Sequence, residues 1–253
     1  MVEGKLHSIE TMGLVDGPGI RTVFFLQGCP LRCSYCHNPD SQSMFSKSRI
    51  TPSEVVKIAK RYKSYYNRTG GGVTFSGGEP LLQGEFLIET LKLLKEEGIN
   101  TAIDTSGYGD ERYYKEILKY VDVVLLDIKH FDNTGYKKVT GKSMGGFYKF
   151  LSYLEDFNGI LWLRHVMVPG ITDNNQSIKS LFNNVSHLAG NIDRFEILPY
   201  HKMGLEKYKN LNMEYSLKNV PEMNKEKAGK FQDVLETMLK KEKNKIYQAK
   251  KII

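Results

Sequence analysis

The chain has 253 residues, 40% of them apolar and 26% charged, which is enough material for a sizeable core and argues against a disordered chain. Its formal charge is +7, and nine Lys against five Asp or Glu between Pro221 and Ile253 place +4 of it in one C-terminal stretch. A Lys-rich tail of this kind reads as a solvated helix face, so no nucleic-acid partner is expected.

No segment approaches the roughly 18 uninterrupted apolar residues of a spanning helix. The start Met1-Val2-Glu3-Gly4-Lys5 lacks a hydrophobic signal region, so a cytoplasmic protein with no membrane partner is expected. Residues 1–19 read as an N-terminal extension. The first strand is predicted over Ile20 to Leu26. Thr51-Pro52-Ser53-Glu54 then opens a helix, with Thr51 as cap, Pro52 at the first helical position and Glu54 three residues beyond the cap. Val55, Ala59, Tyr62 and Tyr66 supply its apolar face.

A strand follows over Gly72 to Phe75, then a helix with Leu87, Leu91 and Leu94 on one face, closed by Gly98. Strands are predicted over Asn100 to Ile103 and Val121 to Leu126, and Asp132 to Gly146, with its glycines, small residues and lysines, reads as a loop. The pattern resumes with a strand from Ile160 to Val168, a helix carrying Ile178, Leu181, Phe182 and Val185, and a strand from Arg194 to Leu198. Ala228, Phe231, Leu235 and Met238 mark a basic C-terminal helix over about 221–245.

Strand alternating with helix means an α/β fold with a parallel sheet and right-handed crossovers. Six such units suit either an open doubly wound sheet or an incomplete barrel, and the absence of a low-complexity linker points to a single domain over 1–253. One-faced helices point to a monomer. In either architecture the functional groups collect where strands run into loops. Gly28-Cys29, Ser76-Gly77-Gly78-Glu79, Asp104-Thr105, Asp127-Ile128-Lys129-His130, Pro169-Gly170 and Pro199-Tyr200-His201 all sit at such ends.

The only cysteines are Cys29, Cys33 and Cys36, an odd number packed too closely for a disulfide framework. Zinc would need His37 as a fourth ligand beside its neighbour Cys36, an awkward geometry for a closed site. Three buried small hydrophobes would be unusual in a loop with Pro30 and Gly28. An iron–sulfur cluster fits better, and with three thiolates one iron of a four-iron cube is left open for chemistry.

This spacing, with Tyr35 before the third cysteine, resembles the cluster motif of the radical S-adenosylmethionine (SAM) superfamily. Asp16-Gly17-Pro18-Gly19-Ile20-Arg21, Cys36-His37-Asn38, Gly70-Gly71-Gly72-Val73-Thr74, Ser76-Gly77-Gly78-Glu79, Leu125-Leu126-Asp127-Ile128-Lys129 and Leu198-Pro199-Tyr200-His201 are similar to the activases of glycyl-radical enzymes. The resemblance covers nearly the whole chain and implies an incomplete (β/α)6 TIM-type barrel. It also implies a [4Fe-4S] cluster on Cys29, Cys33 and Cys36 and SAM on the unique iron. Reductive cleavage of SAM would then give a 5′-deoxyadenosyl radical that takes hydrogen from a glycine of the partner, with pyruvate formate-lyase as the expected partner and a flavodoxin or ferredoxin as electron donor.

On the same resemblance, Tyr35, Cys36, His37, Gly77, Gly78, Glu79, Ile128, Lys129, His130, Phe131, Asp132, Arg164 and His201 belong to the SAM site. Gly77-Gly78 would let backbone approach the methionyl amine. Asp104, Thr105 and Asp127 would hold Na+ or K+ beside the SAM carboxylate, the alternative being plain strand-end caps. Arg164 is expected to point into the barrel, toward SAM or substrate or into an ion pair. Asp16 and His37 are the expected contacts with the partner's glycine loop, although Asp16 also suits a simple turn. Two rivals stay open. One is an activase for another glycyl-radical enzyme, though with no fourth cysteine the subclass carrying an inserted ferredoxin-like segment is excluded. The other is an iron–sulfur redox sensor that binds nucleic acid.

Overall fold

The computed structural model describes residues 2–251. Its strands are β1 (Gly4–Gly13), β2 (Arg21–Leu26), β3 (Ser48–Ile50), β4 (Gly72–Gly77), β5 (Asn100–Thr105), β6 (Val123–Asp127), β7 (Ile160–Met167) and β8 (Ile192–Pro199). The α-helices are α1 (Pro52–Thr69), α2 (Gly84–Glu96), α3 (Glu111–Leu118), α4 (Asn133–Thr140), α5 (Gly145–Tyr153), α6 (Asn175–Val185), α7 (Leu205–Asn210) and α8 (Lys225–Lys250). No helix among the described residues is long and apolar enough to cross a membrane.

The strands form one sheet in the order β3-β1-β2-β4-β5-β6-β7-β8, and every neighbouring pair from β2 to β8 is parallel. A doubly wound sheet reverses its strand order at a switch point. Here the six parallel strands run in strict chain sequence, as in a barrel. Among the described residues no strand pairs with the far side of β8, so the barrel stays incomplete. Along β8, Phe195 and Ile197 are buried while Arg194 and Leu198 are exposed, because no strand stands across from its inner face. The bare edge of β8 is instead covered by α8: Gln232 accepts from the Ile197 amide at 2.8 Å and donates to the Phe195 carbonyl at 2.8 Å. An edge strand hydrogen-bonded by a side chain is a poor template for a second copy.

All six predicted strands form. Residues 1–19, read as an extension, contain β1, which pairs antiparallel with β2 and β3 and makes the sheet mixed at that edge. The 132–146 stretch is no loop: Asp132 accepts from the Gly135 amide at 2.8 Å and starts α4, and Gly141 ends it with a positive φ of 77°. The C-terminal helix starts four residues later and runs five residues longer than expected. The predicted α1 start holds: Thr51 accepts from the Glu54 amide, and the Thr51 amide donates to Glu54 Oε2 at 2.8 Å, a reciprocal cap.

The two faces of the barrel wall differ. Outward-facing Phe24, Phe75, Ile103, Val124, Leu126 and Leu163 belong to the main core under the helices. Inside, Ala102, Val123, Leu125 and Trp162 form a separate small cluster. Side chains two residues apart share a strand face, so Asp104, Asp127 and Arg164 stand directly above that apolar floor.

Candidate active site

A cavity of about 460 Å³ opens over this floor, lined from every parallel strand: Phe25, Ser76, Gly77, Asp104, Thr105, Asp127, Arg164, Val166 and Leu198. Opposite them lie Cys29, Cys33 and Cys36, with Tyr35, His37 and Asp16. A larger hollow of about 890 Å³ lies between the start of β6, α3 and the end of α5, away from the strand ends that carry these groups.

Asp127 and Arg164 face each other in register across β6 and β7. Arg164 Nε donates to Asp127 Oδ1 at 2.9 Å, and its terminal nitrogen is hydrogen-bonded to Asp104. Lys129 Nζ donates to the other oxygen of Asp127 at 2.9 Å, and Ser76 Oγ donates to Asp104 Oδ2 at 2.9 Å. Burial alone would raise the Asp127 pKa; the charges of Arg164 and Lys129 override it and hold this carboxyl at about 2. The floor is therefore a network of fixed, opposite charges aimed at the cavity.

The cysteine loop is tied down by backbone bonds on both sides. Gly28 N donates to Ser41 O at 2.8 Å, while Arg32 N and Ser34 N donate to Thr140 O and Val139 O of α4, each at 2.8 Å. All three thiols are free. Burial pushes Cys29 up to about 12, with the Glu79 charge adding to it, and Cys33 up to about 11, so each holds its proton until a metal displaces it. Among the described residues no three His, Cys, Asp or Glu converge on one ion-sized point. Thiols spread around one cavity suit a cluster in which each binds a different iron. Two hydroxyls beside this loop, Ser34 Oγ and Tyr136 OH, are buried without a hydrogen-bond partner.

Gly77 and Gly78 form the seam between β4 and this loop. A Cβ on Gly77 would lie 2.4 Å from Leu26 N, and one on Gly78 would lie 2.2 Å from Gly28 O. The missing side chains thus make room for the protein's own backbone next to Cys29. Glu79 is buried below them. Oε1 accepts from Thr105 Oγ1 at 2.6 Å and Leu81 N at 3.0 Å, and Oε2 accepts from Ser106 N at 2.9 Å and Ser106 Oγ at 2.6 Å. Burial pushes this carboxyl up against those four donors.

Asp16 reaches the cavity from the turn between β1 and β2. Its carbonyl accepts from Thr74 Oγ1 at 2.7 Å, and Thr74 in turn accepts from the buried Arg21 Nε at 2.6 Å. Burial, then the nearby Asp104 charge, raise the Asp16 carboxyl to about 6. His37 stacks on His201 with ring centroids 4.2 Å apart and donates from Nε2 to the His201 carbonyl at 3.1 Å.

The structure thus gathers Asp16, the three cysteines, Tyr35, His37, Gly77, Gly78, Asp104, Thr105, Asp127, Lys129 and Arg164 around one cavity. Glu79, Ile128, His130, Phe131, Asp132 and His201 do not line it. Glu79 braces the β4 and β5 loops, and Asp132 caps α4. Ile128 is fully buried and hydrogen-bonds β7 through its backbone. His130 stacks on Phe131, and His201 stacks on His37, which does line the cavity. Sequence reasoning gave no role to Ser76, Arg21 or Thr74, although each stands inside a motif that carries the resemblance, and it did not reach Ser106, which its place as a small polar residue just past a strand end would have flagged, or Tyr136, which gives no such signal.

This partial barrel with its three-cysteine loop defines a class: residues 23–181 match the radical SAM superfamily. The chain is 54% identical over 94% of its length to the pyruvate formate-lyase-activating enzyme of Clostridium pasteurianum, covering 100% of that protein. To the enzyme of the same name from Staphylococcus epidermidis it is 48% identical, over 87% of this chain and 90% of that one. A solved domain of the activating enzyme from Bacteroides vulgatus has the same fold at a TM-score of 0.55 and 24% identity, over 67% of this chain and 95% of that one. A radical SAM methyltransferase from Sphaerobacter thermophilus shares it at 0.58 and 15% identity, over 86% and 64%. The chain belongs to the radical SAM superfamily and, within it, to the pyruvate formate-lyase-activating enzymes.

Proposed function

We propose that this chain activates pyruvate formate-lyase, holding a [4Fe-4S] cluster on Cys29, Cys33 and Cys36 and SAM over the strand-end floor. The observation that carries the reading is the meeting, in one cavity, of three free thiols from a single loop with the polar ends of the parallel strands. The donor set fits: three thiols leave one iron of a cubic cluster for another ligand. When bound, cluster and SAM supply one electron and a carbon radical able to take hydrogen from a glycine α-carbon in the partner.

The protein's own tasks are to bind, orient and exclude water. Within that network of opposite charges, Arg164 and Lys129 would hold the carboxylate of SAM and Asp104 and Asp127 would accept from its amine. Tyr35, 5% exposed, walls off the cysteine loop. Asp16 and His37, both in the cavity lining, would meet the glycine segment of the partner, with the uncovered inner face of β8 as its way in. A sodium or potassium ion at Asp104, Thr105 and Asp127 is the finer proposal, and it has to compete with the Arg164 guanidinium that already joins both carboxylates. We further infer a single-domain monomer working in the cytoplasm, where thiols stay reduced, with a flavodoxin or ferredoxin delivering the electron.

The test is anaerobic. The protein is reconstituted with iron and sulfide, reduced, mixed with SAM and pyruvate formate-lyase, and examined by electron paramagnetic resonance. A glycyl doublet on the partner that requires SAM is expected. SAM cleavage without that doublet would mean a different glycyl-radical partner, and failure to assemble any cluster would overturn the three-thiol assignment. Cys33→Ala is expected to abolish SAM cleavage.

A further inference from the structure

Arg21 is a charge in the interior that the machinery above does not use. It is fully buried, and every acceptor of its guanidinium is neutral. Nε donates to Thr74 Oγ1 at 2.6 Å, one terminal nitrogen to the Pro18 carbonyl at 3.1 Å, and the other to the Val73 carbonyl at 2.8 Å and, more distantly, to the Asn100 carbonyl at 3.5 Å. Taking a charge out of water with no opposite charge to pair it is expensive, and a long apolar side chain would occupy the same place without that cost. What the guanidinium adds is a flat fork of donors that joins several acceptors at fixed angles.

Those acceptors tie a turn to the barrel wall. Val73 and Thr74 stand on β4 and Asn100 on β5, whereas Pro18 lies in residues 14–20, which join β1 to β2. Among the described residues no main-chain group from Leu14 to Gly19 is hydrogen-bonded to another main-chain group, so this turn has no ladder of its own. Arg21 holds it at two carbonyls. Pro18 is reached directly. Asp16 is reached through Thr74: Nε can only donate, so the Thr74 hydroxyl accepts from it and passes its own proton on to the Asp16 carbonyl at 2.7 Å. Gly17, between the two held carbonyls, packs on the guanidinium stem, where an added Cβ would lie 2.9 Å from Arg21 Cδ. The turn held in this way sets Val15 and Asp16 in the lining of the cavity, while Arg21 and Thr74 stay outside it.

We propose that Arg21 is a positioning residue which, through Thr74 and Pro18, fixes the β1–β2 turn in advance so that Asp16 meets the glycine segment of the partner without first having to be ordered. The inference rests on the contact between Asp16 and the partner made under the proposed function. A segment ordered only on binding loses conformational entropy at that moment and weakens association, and a segment already held avoids the loss. Arg21 and Thr74 act through Asp16 and touch neither the cluster site nor the partner.

The test is Thr74→Val in the reconstituted holoprotein, with the initial rate of glycyl-radical formation followed by electron paramagnetic resonance against the concentration of pyruvate formate-lyase. The expected result is wild-type iron content and wild-type SAM cleavage without partner, together with a KM for the partner raised about five- to tenfold. An unchanged KM overturns the proposal. So does a loss of partner-free SAM cleavage in step with the rise in KM, which is what general damage to the barrel would produce. A double-variant cycle reads the route: on an Asp16→Ala background Thr74→Val is expected to add little further to KM, and a second rise as large as the first overturns the route through Asp16. Should Thr74→Val not fold, Arg21→Lys, which keeps the buried charge without the fork, is expected to give the same split, and an unchanged KM there overturns the proposal. A wild type that cleaves SAM and yields no glycyl doublet overturns the partner reading and this inference with it, whereas a normal doublet in the wild type with an unchanged KM in the variant removes this inference alone.

Discussion

Arg164 donates from Nε to Oδ1 of Asp127 across 2.9 Å, in register on neighbouring strands, and the same guanidinium bridges to Asp104. The three side chains are 12%, 22% and 13% exposed, so the network is largely shielded from water. Removing one partner of such a pair leaves an uncompensated buried charge. Arg164→Met is expected to cost about 3 kcal/mol or more in urea unfolding at pH 7. Arg164→Lys keeps a charge without the two-pronged geometry and is expected to fall between. Asp127 also sets an acid limit. Its folded value of about 2 lies below the unfolded 3.8, so its contribution is present above about pH 4 and is lost as pH falls toward 2. A wild type and an Arg164→Met variant with equal unfolding midpoints at pH 7 would remove the network from the stability of the fold.

Glu79 answers to a different chemistry, since it faces the interior and not the cavity. Glu79→Ala strands the Leu81 and Ser106 amides and the Thr105 and Ser106 hydroxyls together. A loss of about 3 kcal/mol or more is expected. Glu79→Gln keeps an acceptor but turns an NH2 group toward donors, so it is expected to lose part of that amount. Unfolding curves of the two variants check the order; a Gln variant less stable than Ala would contradict the hydrogen-bond account.

Much of this was legible from residue pattern. β-Branched runs closed by turn residues gave all six parallel strands, because strands buried on both faces are the strongest apolar signal in such a chain. β1 was missed because it lies near the edge, with alternately intermediate and exposed residues such as Ile9 and Glu10, and carries no sustained apolar run. α4 was missed for a different reason. With Gly135 and Thr134 it has poor intrinsic helix propensity, and what stabilises it is tertiary: the Asp132 cap, buried Tyr136 and the cysteine loop resting on its last carbonyls. Within the site, residue types at strand ends told where chemistry collects, yet not which way each side chain turns. Lys129 faces the cavity while its neighbours Ile128 and His130 do not, because the two-residue alternation that turns Asp127 inward carries on past the end of β6, a matter of position and not of residue type.

Gly78 links the fold to cluster loading. Its φ is not positive, so close approach rather than a left-handed backbone demands glycine: an added Cβ would lie 2.2 Å from Gly28 O, one residue before Cys29. Gly78→Ala is expected to push the loop away from β4, costing about 2 kcal/mol and lowering iron content after reconstitution. Gly229, with open space around its position, is the control. Gly229→Ala is expected to load iron normally and, on helix propensity, to gain up to about 1 kcal/mol. Full iron loading in Gly78→Ala would show that the cysteine loop does not depend on this seam.

Asp16 supplies a pH-dependent test of partner contact. Its carboxyl, raised by burial and then by Asp104 from 3.8 to about 6, carries a proton over a range where an ordinary aspartate has lost it. A carboxyl whose folded value lies above its unfolded one leaves the folded state progressively less favourable as pH rises from about 4 through about 6, and the penalty is complete above that. Asp16→Asn removes the titration, so the variant is expected to match the wild type in stability near pH 4 and to exceed it at pH 7. Activation is expected to move the other way. If the ionised carboxylate accepts an amide of the partner's glycine segment, glycyl-radical yield in the wild type falls as pH drops through about 6, and the Asn variant, weaker at pH 7, is flat across that window. An Asn variant whose yield falls over the same window as the wild type would assign the titration to another group and take Asp16 out of the partner site.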